Sequence, residues 1–275
     1  MLASAREKRR PDVYSLCVMR KIISIANQKG GVGKTTTAIN LSASLAVAER
    51  KTLLIDADSQ GNTSSGMGMS HDMAGENNLY HCLIDELPLQ EAIRKTQIPH
   101  LDIIPANQDL VGVELEFVSL NEREKRLKNL LKNLHGEYDY IIIDCPPSLG
   151  FLTVNALVAS DCLVVPMQCE YFAMEGLGHL LNTMELIKQR LNPTLYLGGI
   201  LLTMYDSRNL LSRRVSEDVR GHFGHLVFKT LIPRNVRLSE SPSHGLPIIL
   251  YDVKSRGAVS YMELAEEIMN SRRMQ

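Results

Sequence analysis

The stretch NQKGGVGKTTT, residues 27–37, carries two lysines, Lys29 and Lys34, on either side of three glycines. A phosphate-binding loop reads G-x-x-x-x-G-K-[ST]. Gly33-Lys34-Thr35 supplies the end of that pattern, but the place of its first glycine is taken by Gln28. Gly30, Gly31, Val32 and Gly33 form a turn tight enough to aim backbone N–H groups at an anion. Lys34 is placed to reach β- and γ-phosphates, the Thr35 hydroxyl to ligate Mg²⁺, and Thr36 to lie near an α-phosphate. Lys29 has no task in that chemistry. It is either a solvated surface lysine or a charge aimed at another phosphate oxygen, and spacing leaves both open.

Three carboxylates complete the constellation. Asp56 and Asp58 end the apolar run TLLIDAD, and Asp144 ends YIIIDCP. Ligands of open α/β sheets bind at the carboxyl ends of strands. Residues i and i+2 share a strand face, so Asp56 and Asp58 can both face the phosphates. Asp144 suits Mg²⁺, held directly or through a water. One such aspartate could equally be a turn residue or a helix cap. Three beside a phosphate loop point to phosphoryl transfer, a reaction that needs positioning and electrostatics more than covalent chemistry.

These residues need strands to hold them. Apolar runs at 21–27, 52–58, 101–106, 140–146, 162–168, 197–205 and 226–233 read as strands. Several are apolar on both faces, as in a buried parallel sheet. Helical stretches fit between them at 34–48, 107–134, 150–159, 175–190, 209–223 and 257–270. The alternation predicts an α/β fold: a doubly wound, mostly parallel sheet with helices on both faces. The Gly/Ser/Asn-rich segment 59–78 reads as a mobile loop beside the site.

Composition sets bounds. The 275 residues carry a net charge of −1, with 44% hydrophobic and 22% charged residues, as in an ordinary globular chain. Nothing marks a boundary inside 19–275, which reads as one domain. Residues 1–18 are basic and lack the apolar core of a secretory signal, so they read as a disordered extension, or Met19 is the true start. No apolar run reaches the roughly 18 residues of a membrane span. The five cysteines show no metal spacing and suggest a reduced, cytosolic protein. No histidine pairs at a ligand spacing. Nucleic-acid contact would need a local patch, and residues 203–237 offer one: seven basic side chains against three acidic ones. No aromatic stacking pattern accompanies it, so backbone contact without sequence readout is expected.

KGGVGKTT resembles the deviant Walker A motif, K-G-G-x-G-K-[ST], of the ParA/MinD ATPases. LLIDADSQGN is similar to that family's second acidic motif, with Ser59 where proline is usual, and YIIIDCPPSLG to its Walker B. TMYDSRNLLSRRV and the stretch from IPRNVRLSE onward resemble the chromosomal ParA branch, also called Soj. The resemblance covers nearly everything from Met19 onward. It implies ATP and Mg²⁺ as cofactors and an ATP-dependent homodimer. Lys29 would then act on the nucleotide of the partner subunit, Asp58 would orient the attacking water, and Asp56 would stand behind the metal. Pro233 and Asn235 would border the adenine, with Thr203-Met204 a weaker candidate. Arg208 and Arg237 fall where similar proteins contact double-stranded DNA without sequence specificity; Arg213 and Arg214 are weaker candidates. A ParB-type protein would trigger hydrolysis and release, in the cytoplasm and on the nucleoid.

Two rivals share the loop. A MinD-like membrane ATPase ends in a basic amphipathic helix. The tail YMELAEEIMNSRRMQ has Arg272 and Arg273, but Glu263, Glu266 and Glu267 oppose anionic lipid, and a core-packed helix without membrane contact is expected. A reductase like the nitrogenase iron protein needs cluster-binding cysteines. Cys145, Cys162 and Cys169 read as structural.

Overall fold

The structure is a computed structural model and describes residues 20–69, 75, 77–117, 121–134, 138–171 and 173–274. The 1–18 extension lies outside the described residues, as does part of the 59–78 segment.

Eight strands are seen among the described residues: β1 (Lys21–Ile25), β2 (Thr52–Asp56), β3 (Arg94–Lys95), β4 (Leu101–Ile104), β5 (Tyr140–Asp144), β6 (Cys162–Gln168), β7 (Tyr196–Tyr205) and β8 (Val227–Pro233). They form one sheet in the order β3-β4-β2-β5-β1-β6-β7-β8. All neighbours are parallel except β3 and β4. The expected doubly wound, mostly parallel sheet is therefore present. β2 and β5 are buried at every position, because helices cover both faces.

The helices up to the middle of the chain are α1 (Lys34–Val47), α2 (Asn62–Gly66), α3 (Leu79–Leu83), α4 (Leu89–Ala92), α5 (Val113–Glu116) and α6 (Arg126–Lys132). Beyond them lie α7 (Phe151–Ala159), α8 (Ala173–Arg190), α9 (Leu210–Phe223), α10 (Val236–Glu240), α11 (Ile248–Tyr251) and α12 (Arg256–Asn270). Alternate residues of each central strand feed opposite cores. Leu53, Ile55, Ile141 and Ile143 pack with α7 and α8, while Leu54 and Ile142 pack with α1 and α12.

Two expectations need correction. The helix expected over 107–134 is broken into short 3₁₀ and α segments. Glu122 takes a left-handed backbone, φ 54°, which an α-helix cannot continue through. The 59–78 segment is not simply a mobile loop: α2 folds within it, and Thr63 and Ser64 are buried. At the outer strand, the N–H groups of Lys229 and Thr230 donate to the Glu267 carboxylate of α12, at 2.8 and 3.0 Å.

Candidate active site

β1 stops at Ile25, and the chain then turns through the glycine-rich loop into α1. Gly31 (φ 72°) and Gly33 (φ 89°) adopt the left-handed conformation that glycine takes without the strain a side chain adds. Gly33 caps α1 without a side-chain bond, which leaves first-turn N–H groups facing the loop. Lys34 is 7% exposed and donates from Nζ to the Lys29 carbonyl at 3.1 Å. Burial lowers its pKa, although Asp144 opposes that shift.

Asp144 and Asp56 end neighbouring strands in direct register, and both are fully buried. Oδ2 of Asp144 accepts from the Thr35 hydroxyl at 2.8 Å and from the Thr63 hydroxyl at 2.7 Å. Its Oδ1 is buried with no protein partner. Asp56 Oδ2 accepts from the Ser64 N–H at 2.8 Å and the Ser64 hydroxyl at 2.7 Å, and Oδ1 from the Asp58 N–H at 3.2 Å. Burial, then the neighbouring Asp56, push the Asp144 carboxyl up to about 7. Burial likewise pushes Asp56 up to about 6, against the hydrogen bonds it accepts. Asp58 lies just beyond β2, 7% exposed, and its Oδ1 accepts from the Gln60 N–H at 3.0 Å.

Thr63 and Ser64 are the site residues that sequence reading missed. The signal was present: two adjacent hydroxyl residues close behind an acidic strand end, in a segment whose glycine content argued for a loop. A buried hydroxyl needs a partner, and the two strand-end carboxylates provide them.

Lys29 stands at the mouth of the loop, and its ammonium is ion-paired with Glu170, just beyond β6. Both side chains are a little under half exposed. On the other side of the loop a cavity of about 490 Å³ is lined by Gly33, Thr36, Met204, Pro233, Asn235 and Tyr261. Asn235 also caps α10, its Oδ1 accepting from the Leu238 N–H at 3.3 Å. Loop, carboxylates and cavity thus adjoin at the carboxyl ends of β1, β2, β5, β7 and β8. Lys29, Gly30–Gly33, Lys34–Thr36, Asp56, Asp58, Asp144, Pro233 and Asn235 all belong to this rim.

Known proteins resemble this chain over most of its length. A family described as "AAA domain" matches residues 20–197. The chromosome partitioning protein ParA of Myxococcus xanthus is 56% identical over 249 residues, 90% of this chain and 88% of that protein. The sporulation initiation inhibitor protein Soj of Bacillus subtilis is 54% identical over 250 residues, 91% of this chain and 98% of its own. The chain belongs to the ParA/Soj family. A solved structure named as cobyrinic acid a,c-diamide synthase of Mycobacterium smegmatis, with bound ADP and magnesium, superposes with a TM-score of 0.79. It is 38% identical and covers 90% of this chain and 93% of its own.

In this ParA/Soj member the basic segment runs from the end of β7 to α10. Arg208 is exposed but forks onto Asp206, Nε to Oδ1 at 3.0 Å and Nη2 to Oδ2 at 2.9 Å. Arg237 pairs with Glu240 at 2.9 Å and Asp252 at 3.7 Å. Arg213 and Arg214 are exposed and have no acidic partner among the described residues, while Arg234, also exposed, lies near enough to Asp206 to help hold its carboxyl low. The terminal helix α12 turns Ala258, Tyr261, Leu264, Ala265 and Ile268 into the core, so its apolar face is already used. No helix among the described residues is long and apolar enough to cross a membrane. Cys82, Cys145, Cys162 and Cys169 are all buried, and no metal-holding cluster of His, Cys, Asp and Glu occurs among the described residues.

Proposed function

We propose that this chain is an ATP-driven switch for DNA segregation. It binds ATP with Mg²⁺ in the loop and cavity, closes into a homodimer, hydrolyses ATP at the shared site, and contacts DNA only when closed. The observation that carries this reading is the convergence of Lys34, Thr35 and Asp144 behind a loop whose mouth bears a second lysine. These residues fit Mg²⁺: Thr35 supplies a hydroxyl, and the buried Asp144 Oδ1 has no protein partner. Bound there, the ion neutralises charge on phosphate oxygens.

The protein groups divide the work. Loop N–H groups and Lys34 hold the phosphates. Pro233 and Asn235 bound the base. Asp58 orients the attacking water, and Asp56 anchors the turn that carries it. Lys29 reaches across to the partner subunit's phosphates. Arg208 and Arg237, joined by Arg213 and Arg214, form a surface for double-stranded DNA that two subunits combine. A ParB-type protein releases the dimer, and the chain acts in the cytoplasm on the nucleoid. The residue-range 19–275 acts as one domain. A MinD-like membrane role is the poorer alternative, because α12 is packed into the core.

Sizing of Asp58→Ala tests the reading. It should run as a dimer with ATP and as a monomer without it, and it should not hydrolyse ATP. A variant that stays monomeric in saturating ATP, or hydrolyses normally, contradicts the composite site.

A further inference from the structure

We propose that Thr63 is a positioning residue for the metal-side carboxylate of Asp144, and that through it the metal site is coupled to the turn carrying Asp58. The inference rests on the nucleotide reading above.

Thr63 lies in the first turn of α2 and is completely buried. Its hydroxyl donates to the same Asp144 oxygen that the Thr35 hydroxyl uses. Two donors on Oδ2 fix the plane of the carboxylate and leave Oδ1 as its open acceptor. Thr35 is accounted for by the phosphate loop, but nothing in the loop chemistry requires Thr63.

The next residue extends the connection. Ser64 donates its N–H and its hydroxyl to Asp56, and its Oγ accepts from the Ala106 N–H at 2.9 Å. Consecutive residues of one short helix therefore hold two carboxylates that stand in register on adjacent strands. That helix is the direct continuation of the Asp58 turn. The Gly61 N–H donates to the Asp58 carbonyl at 2.9 Å, and Ser65 N–H to the Gly61 carbonyl at 2.9 Å. A rotation of Asp144 cannot leave α2 in place while Thr63 keeps its bond, so metal at Oδ1 and the placing of Asp58 are linked.

Thr63→Val keeps the shape and removes the donor; Thr63→Ser keeps the donor. Fluorescent ADP is titrated against each protein in EDTA and across a range of Mg²⁺. Loss of one hydrogen bond to a charged group should raise the Mg²⁺ concentration at half-effect by roughly tenfold in Thr63→Val. The affinity in EDTA should be unchanged, and Thr63→Ser should behave as the wild type. An unshifted Mg²⁺ midpoint in Thr63→Val overturns the proposal, and so does failure of serine to restore it. If valine prevents folding, Thr63→Ala is read in the same way. A wild-type chain whose ADP binding ignores Mg²⁺ contradicts the nucleotide reading itself and takes the proposal with it. A Mg²⁺-dependent wild type with an indifferent valine variant contradicts the role of Thr63 alone.

Discussion

Lys29 is ion-paired with Glu170 of its own chain, 141 positions away in sequence. In the proposed dimer the same ammonium serves the neighbouring subunit, so the pair must open for the active state to form. An exposed pair of this kind is worth about 0–1 kcal/mol. Glu170→Gln should therefore lower the ATP concentration needed for dimerisation by a few-fold, about the factor that energy allows. Light scattering across an ATP titration measures it. A variant that needs as much ATP as the wild type, or more, rules out the restraint. In a Lys29→Ala background the Glu170 substitution should have no further effect.

The two buried carboxyls give the nucleotide-free protein a pH signature. Asp56 is raised to about 6 and Asp144 to about 7 by burial. The folded chain then holds protons that the unfolded chain has released, over a window from about pH 4 to about pH 7. Stability should fall as pH rises through that window and level off above it. Asp144→Asn cannot ionise, so it should flatten the upper part of the curve. Thermal melting in EDTA at several pH values tests this, and identical slopes for the two proteins would count against it.

DNA binding should show its charge count in salt. Each arginine that neutralises a phosphate contributes about one unit to the slope of log K against log salt. Alanine at Arg213 or Arg214, which have no acidic partner among the described residues, should lower the slope by about one unit each. The Arg208 guanidinium already donates to Asp206 and would have to be shared with a DNA phosphate, so Arg208→Ala should change affinity less than its exposure suggests. Filter binding on random duplex with ATP is the assay. Unaltered slopes for all of these variants would place the DNA surface elsewhere.

A packing test is independent of ligands. A Cβ on Gly199 of β7 would lie 2.5 Å from Cε2 and 2.7 Å from Cζ of Phe228, a ring that is 1% exposed. The ring has no room to retreat, so Gly199→Ala should cost about 1–3 kcal/mol. Urea unfolding gives the value, and a midpoint equal to the wild type's would contradict the contact.

Much of this was legible in the sequence because its cause is local. KIISIAN followed by GGVGKTTT is strand, turn and helix in one stretch, and the structure keeps that order from Lys21 to Val47. Asp144 could be placed because an apolar run ends on it. Strand ends were overestimated where polar residues take other work: Asn27 leaves β1, donates to the Pro166 carbonyl at 2.7 Å and accepts from the Lys29 N–H at 3.0 Å. What could not be read depends on distant partners. α2 is built from residues typical of loops and is held by carboxylates on β2 and β5. Glu170 sits in an unremarkable stretch, and nothing in its neighbourhood shows that it meets Lys29.

The hold of Glu267 on the outer edge of β8 has a consequence for how copies of this chain can meet. An edge strand with free N–H groups templates the addition of another strand, and repeated addition gives fibres. Here the N–H groups of Lys229 and Thr230 are taken by a carboxylate from the chain's own last helix. Growth by sheet extension is blocked at that margin. In the proposed homodimer, association through the rim that carries the phosphate loop would then not compete with strand addition at β8.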